Sequence, residues 1–227
     1  MEYPVYSNQF VLDEQFTGVT DSWKVNTLTA SGGAVTQLDK GGGAAQLAVD
    51  ATEGSYATIA TPEIIYPDYG DRIEVNAIVR LTDIDNPSVF FGIASDDATG
   101  VVAENEDGTL DTGSLTDLAG VLLECEEEVA WKSISKKKSV ASSLGDIPLL
   151  PAPVAGMWMR LGLSLYRSGT VDLRFGNGYK VTLEEAVDPK RSFSAVVGLD
   201  GRATATSVWV YRLVVTGPLQ EHYSPGY

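Results

Sequence analysis

The sequence is poor in the residues that support disulfide, zinc or nucleophile–histidine chemistry. Its 227 residues include one cysteine, Cys125, and one histidine, His222. A single cysteine excludes an internal disulfide, and one cysteine with one histidine cannot form a zinc site without several carboxylates. A catalytic triad would have to use His222 near the C-terminus, where a general base is poorly held. Cys125 shares its alternation with Val121 and Leu123, which predicts a thiol packed in the core.

Basic residues are also scarce. The chain has 16 lysines and arginines against 31 aspartates and glutamates, a net charge of −15. Phosphate backbones and anionic membranes repel such a surface, so we expect neither nucleic acid nor a membrane as a partner. High solubility is the simplest interpretation of the charge, while a basic protein or a divalent cation would suit it as a partner.

Long apolar runs are absent. No stretch of 18 apolar residues occurs, which predicts that no helix spans a membrane. Residues 1–10 lack a basic region followed by an apolar one, so we expect no secretion signal and synthesis in a cytoplasm.

Alternation of apolar and polar residues dominates what is present. It runs through residues 72–81, 159–165, 171–175 and 193–199, and Asn-Gly, Asp-Gly and glycine-rich turns separate the runs. This pattern predicts an all-β protein, an antiparallel two-sheet sandwich. Residues 208–215 are apolar at successive positions, which predicts a strand deep in the sandwich with both faces covered.

Other segments depart from this pattern. Residues 96–118 and 132–153 are predicted to be long surface loops, and residues 183–187 are the best candidate for a short helix. We expect an N-terminal arm at residues 1–10, a sandwich domain at 11–216 and a C-terminal tail at 217–227.

The order of these runs resembles a concanavalin A-like lectin/glucanase jelly roll over about residues 10–216. The resemblance implies an antiparallel jelly-roll sandwich. It is carried by the opening 12–18 with Trp23, and by residues 43–49, 89–94, 120–124, 156–161, 169–178 and 209–215.

Chains with this opening are similar to tailed-phage virion proteins that decorate or cement the capsid. The resemblance implies a non-enzymatic protein on the capsid surface, made in the host cytoplasm, with the major capsid protein and neighbouring copies of itself as partners. A homotrimer at threefold positions would suit that lattice. Aromatic residues in the arms are the expected anchors: Tyr3, Tyr6, Phe10, Tyr223 and Tyr227.

Carbohydrate binding, for host adhesion, is the alternative. Trp158, Arg160 and Tyr166 alternate along one predicted strand and would share its outward face. Aromatic faces stack on sugar rings and polar groups bond to hydroxyls, so these three residues predict a sugar platform.

Two further chemistries are weaker alternatives. Glu124, Glu126 and Glu128 resemble the paired carboxylates of glucanases of this fold, but Glu126 replaces the central aspartate and no aromatic platform is near. We therefore favour an exposed acidic strand over a hydrolytic site. No cofactor is predicted, although calcium could use the oxygens of two short acidic segments. These segments contain Asp83, Asp85, Asn86, Asp96 and Asp97.

Overall fold

Seventeen β-strands make up nearly all the regular structure that the computed structural model describes. The described residues are 9–17, 23–38, 43–52, 54–84, 87–95, 103–104, 110–111, 115–124, 129–138, 140–147, 150–201 and 205–218. The strands are β1 Gln9–Glu14, β2 Asn26–Ala30, β3 Ala34–Leu38, β4 Ala44–Val49, β5 Tyr56–Ala60, β6 Arg72–Leu81, β7 Pro87–Ala94, β8 Ala103–Glu104, β9 Leu110–Asp111, β10 Leu118–Glu124, β11 Ala130–Lys137, β12 Val140–Asp146, β13 Trp158–Tyr166, β14 Val171–Phe175, β15 Lys180–Leu183, β16 Ser194–Gly201 and β17 Thr206–Pro218.

Two antiparallel sheets contain all but two of these strands. Sheet A has the order β15-β14-β13-β6-β17-β4-β3, and β1 pairs with the second half of β17. Sheet B has the order β12-β11-β10-β7-β16-β5-β2, and β8 pairs with β9 separately. The predicted all-β antiparallel sandwich is confirmed. No helix in the described residues is long and apolar enough to cross a membrane.

The main core lies between the two sheets. In β6 the residues alternate between buried and half-buried from Ile73 to Leu81, as the period of two predicts. Leu163 and Leu213 from sheet A meet Phe91 and Val197 from sheet B in one buried cluster. Full burial of each such side chain contributes about 1.5–3 kcal/mol relative to exposure.

A second apolar cluster covers the outer face of sheet B. Phe90, Leu122, Ile134 and Val196 are buried there, away from the main core. Leu115, which precedes β10, joins the same cluster. Among the described residues, the outer face of sheet B therefore carries buried apolar side chains, whereas the outer face of sheet A carries exposed ones such as Trp158 and Tyr211.

The prediction of a long loop was wrong for much of residues 132–153, and residues 96–118 contain short strands at 103–104 and 110–111. Residues 132–153 include most of β11 and all of β12, where Trp131 packs in the main core and Ile134 in the second cluster. Lysine and serine are frequent in β11, which lies next to the edge strand β12, and this polar content made the segment resemble a surface loop. Residues 96–118 include β8, β9 and a fully buried Asp117, whose carboxylate accepts the backbone N–H groups of Lys138 and Asp188 at 3.2 and 2.8 Å.

Three further expectations differ from the structure. The candidate helix at 183–187 is a turn after β15, in which Glu185 adopts a positive φ of 47°. β17 is central in sheet A, but only its inward face is fully buried; Tyr211 on its outer face is exposed. The sheet also extends into the expected arm and tail, because β1 begins at Gln9 and β17 ends at Pro218.

Candidate functional site

The outer face of sheet A is arranged in rows of side chains that run across its strands. The register places Trp158, Arg80 and Trp209 in one row, from β13, β6 and β17. The next row contains Arg160, Ile78 and Arg212, and the third contains Gly162, Asn76 and Val214. Since directly opposite residues on paired strands are neighbours, these rows form one continuous surface.

Aromatic side chains cluster at one end of this face; we call Trp158, Trp209 and Tyr211 the aromatic patch. The Trp158 ring lies 5.9 Å from the Tyr211 ring and 6.5 Å from the Trp209 ring. Trp158 is 46% exposed and Tyr211 is 39% exposed, so two large aromatic side chains are accessible on the same face of the sheet. The Arg80 guanidinium lies 4.6 Å from the centre of the Trp209 ring, a cation–π contact that holds this ring in place.

A β-bulge explains how Tyr211 reaches the patch. The register between β17 and β6 shifts between Val210 and Arg212, so Tyr211 is the extra residue on its strand. Val210 and Leu213 are buried, whereas Tyr211 and Arg212 both face outward. A bulge re-aims side chains in this way, and it adds one aromatic ring to the outer face.

A groove with a glycine floor adjoins the patch. Gly162 and Gly176 have no side chains to fill the space between strands, and this leaves an open depression of about 410 Å³. Arg160, Arg174 and Arg212 stand around it, with Asn76 as a polar neutral neighbour. We call this depression the arginine groove. Two further depressions, of about 540 and 520 Å³, adjoin Trp158 and Arg160, so Trp158 borders open space on several sides.

The arginines differ in how they are paired. Arg212 donates to both carboxylate oxygens of Asp13, at 2.8 and 2.6 Å. Arg174 makes a long ion pair with Glu74 at 3.5 Å, while its Nε and Nη2 atoms are buried and have no hydrogen-bond partner among the described residues. A buried donor without an acceptor costs about 1–3 kcal/mol, so the guanidinium of Arg174 is poorly satisfied by the protein itself.

The Asp13–Arg212 pair joins β1 to the site. The Arg212 hydrogen bond holds the pKa of the Asp13 carboxyl below its ordinary value, and the same pair raises the pKa of Arg212. Because the folded-state pKa of Asp13 is depressed, the pair stabilises the fold above the unfolded-state pKa and loses this effect as pH falls through the folded-state pKa.

We therefore expect Asp13→Asn to lower the free energy of unfolding by about 1 kcal/mol at pH 7. The difference from wild type should stay constant down to about pH 5 and shrink at lower pH as Asp13 protonates. Urea unfolding of both proteins at a series of pH values measures this. A difference that grows as the pH falls below 4 would contradict the pairing.

Tyr166 lies on the same strand and face as Trp158 and Arg160, as expected, but at the other end of the strand. It stands eight positions along the strand from Trp158, a distance of about 26 Å. Its hydroxyl donates to Asp172 at 2.7 Å, and Thr182 and Lys180 bind the same carboxylate. Burial alone would raise the pKa of Asp172, but these hydrogen bonds outweigh it and lower the pKa. The structure therefore brings Trp158 and Arg160 together and places Tyr166 in a separate polar network.

The other residues singled out in the sequence lie away from the patch. Glu124 is buried at the end of β10 in sheet B, so the glucanase-like pattern begins on the opposite sheet from the arginine groove. Asp83 accepts a hydrogen bond from Thr206 at 2.8 Å, and the described residues contain no group of acidic residues, cysteines or histidines suited to a metal. Eight other residues that the sequence singled out lie outside the described part of the structure: Cys125, Glu126, Glu128, Asp85, Asn86, Asp96, Asp97 and His222.

Of the expected partner-binding residues, only Phe10 is described. It lies in β1 opposite Gly217 and packs against the main core, so its ring serves the sandwich. Tyr3, Tyr6, Tyr223 and Tyr227 lie outside the described residues.

Sequence reasoning missed Arg80, Arg174, Trp209, Tyr211 and Gly162. All five stood in runs that were assigned to strands from the sequence, but the patch depends on which strands are neighbours. β13, β6 and β17 are far apart in the chain and adjacent in sheet A. The strongest indication of an aromatic site in the sequence was the pair Trp209 and Tyr211, which stand two positions apart in the run 208–215.

Comparison with solved structures agrees with this architecture. The chain is similar to a protein of unknown function from Shewanella oneidensis MR-1, with a TM-score of 0.63 and 14% identity over 94% of this chain and 89% of that one. Peanut lectin gives a TM-score of 0.60 and 14% identity over 92% and 97%. A carbohydrate esterase from the Shiga toxin-encoding bacteriophage phi24B gives a TM-score of 0.55 and 14% identity over 91% and 97%.

These likenesses define the fold class as the lectin-like, concanavalin A-like jelly-roll sandwich. At 14% identity they show the fold alone. No protein-family model matches the chain, and no curated protein matches it significantly.

Proposed function

We propose that this protein is a non-enzymatic carbohydrate-binding module of the lectin type, which binds a glycan on the outer face of sheet A. The observation that carries the proposal is Trp158, a half-exposed indole on β13 that borders an open depression and stands two residues from Arg160 of the arginine groove. A sugar ring stacked on this indole would bury apolar surface on both partners, and the groove would receive the adjoining sugars.

The surroundings of Trp158 supply the polar half of sugar recognition. Arg160 and Asn76 offer donors and an acceptor within the arginine groove, where hydroxyls would need them. These side chains stand on paired strands in sheet A, so little conformational entropy is lost when a ligand binds. Lectins among the solved structures share the fold, which supports the proposal without choosing the site.

Trp158→Ala should reduce glycan affinity at least tenfold, because truncation of a central aromatic anchor typically costs 2 kcal/mol or more, about 30-fold in affinity. The measurement is a glycan array with the wild-type protein, followed by calorimetry of its strongest glycan with each variant. Tyr166→Phe is the matched control: an aromatic residue of the same strand and face, expected to leave affinity unchanged because its hydroxyl already bonds to Asp172.

Two outcomes would contradict the proposal in different ways. Failure of the wild-type protein to bind any glycan on the array would remove the carbohydrate-binding function. Full affinity in Trp158→Ala, together with a loss in Tyr166→Phe, would move the site to the far end of β13.

The virion role implied by the resemblance stays a prediction, with the capsid, neighbouring copies and host glycans as its partners. The phage esterase among the similar structures supports it only in that a phage protein uses this fold. Mass spectrometry of purified phage particles tests it: hundreds of copies per particle are expected for a capsid decoration protein, and a few for a tail adhesin. Absence of the chain from purified particles would contradict the virion role.

A further inference from the structure

The charge of the outer face of sheet A is opposite to that of the whole chain. The chain carries −15, with roughly two acidic residues for every basic one. On this face, however, the described strands present six cations and three carboxylates. The cations are Arg72, Arg80, Arg160, Arg174, Lys180 and Arg212, and the carboxylates are Asp13, Glu74 and Asp172.

Each of the three carboxylates is paired with at least one of these cations. Asp13 binds Arg212, and Asp172 binds Lys180. Glu74 pairs with Arg72 closely and with Arg174 only at 3.5 Å. The surplus positive charge therefore lies at Arg160, Arg174 and Arg80.

Arg160 and Arg174 are placed to act on one ligand group. Arg160 has no ion-pair partner among the described residues. The only ion pair of Arg174 there is the 3.5 Å contact of Nη1 with Glu74, which leaves the charge of this 33% exposed side chain weakly balanced. Gly162 lies directly opposite Arg174, so the two arginines are diagonal neighbours on paired strands, β13 and β14. At that spacing the ends of two long side chains can converge over the glycine floor.

We propose that the arginine groove selects an acidic glycan, seating its carboxylate or sulfate between Arg160 and Arg174 while a neighbouring sugar stacks on Trp158. The inference rests on the proposed carbohydrate-binding function and names its ligand class. A guanidinium presents a planar fork of donors that matches the paired oxygens of a carboxylate or sulfate. Neutral hydroxyls would leave that charge uncompensated inside the groove.

The net charge of the chain does not prevent this binding. At physiological ionic strength charges are screened over about 8 Å, so the nearby arginines outweigh distant surface carboxylates. Because salt screens these charges, the affinity for an acidic glycan should fall as the salt concentration is raised. The affinity for a neutral glycan should not change.

The test compares pairs of glycans that share one backbone. Uronic-acid oligosaccharides are measured against their carboxyl-reduced forms, and sulfated oligosaccharides against their desulfated forms, at low and high salt. The wild-type protein should prefer one acidic series at least tenfold, as charge-assisted hydrogen bonds predict. The series preferred identifies the anion as carboxylate or sulfate.

Arg160→Gln and Arg174→Gln should each remove most of that preference, while Arg167→Gln, an exposed arginine in the turn after β13, should keep it. Arg160 makes no ion pair with the described residues, so its variant should fold normally, as urea unfolding will show. Equal affinity for acidic and neutral forms, with Trp158→Ala still losing both, would overturn the acidic preference and leave carbohydrate binding intact. Binding of neither form would overturn the proposed function itself.

Discussion

Gly120→Ala should destabilise the protein by about 3 kcal/mol or more, the upper range for overpacking a tight core. A Cβ at position 120 would lie 2.3 Å from the carbonyl oxygen of Phe91 and 2.7 Å from the Phe90 ring. Gly120 pairs directly with Gly92 across β10 and β7, and the same ring covers both. Backbone in the centre of sheet B cannot move aside, so the added methyl must displace strand and ring together.

Gly145→Ala is the matched control. Gly145 lies in β12 at the edge of sheet B, where an added Cβ would meet only the Ser133 hydroxyl, at 3.3 Å. Urea unfolding of the two variants should show a large loss for Gly120→Ala and a change within about 1 kcal/mol for Gly145→Ala. Equal midpoints for Gly120→Ala and wild type would show that the second apolar cluster is packed loosely.

Gly162→Leu should reduce glycan affinity at least tenfold while leaving the fold intact. Its side chain would occupy the floor of the arginine groove, where Gly162 and Gly176 now leave space. An added Cβ meets only side-chain atoms, Asn76 Oδ1 at 3.0 Å and Arg174 Nε at 3.5 Å, and these can shift. Glycine weakens a strand interior, so a larger residue should not reduce stability.

Ala48→Leu provides the control for added bulk. Ala48 lies on the same outer face, in β4 and two strands away from β6. Calorimetry with the glycan chosen for wild type should show a loss for Gly162→Leu and none for Ala48→Leu. Wild-type affinity in Gly162→Leu would place the glycan on the aromatic patch alone, outside the arginine groove.

Two glycines shape each of two surfaces, the arginine groove and the outer face of sheet B, because each glycine leaves space that a side chain would otherwise fill. At Gly92 and Gly120 the space is filled by Phe90, and the face is sealed. At Gly162 and Gly176 the space stays open, with arginines around it. The two outer faces therefore differ in what occupies the space above their glycines: an apolar side chain on sheet B, and an open groove on sheet A.

Much of the fold could be predicted from alternation, because a half-buried strand imposes a period of two on its own residues. Residues 72–81, 159–165 and 171–175 were assigned as strands and are β6, β13 and β14. The edge strand β12 and its neighbour β11 were missed, since their lysines and serines make the sequence resemble a loop. The outward positions of Trp158 and Arg160 were predicted for the same local reason.

The sequence alone determined the all-β class, the facing of each alternating strand and the lack of disulfide chemistry, because these depend on residue type and local spacing. Only the tertiary structure decided which strands are neighbours. That choice placed Trp158 beside Trp209 and Tyr211, and separated Tyr166 from them. The site depends on register between strands distant in the chain, and on one bulge in β17, so no local pattern could specify it.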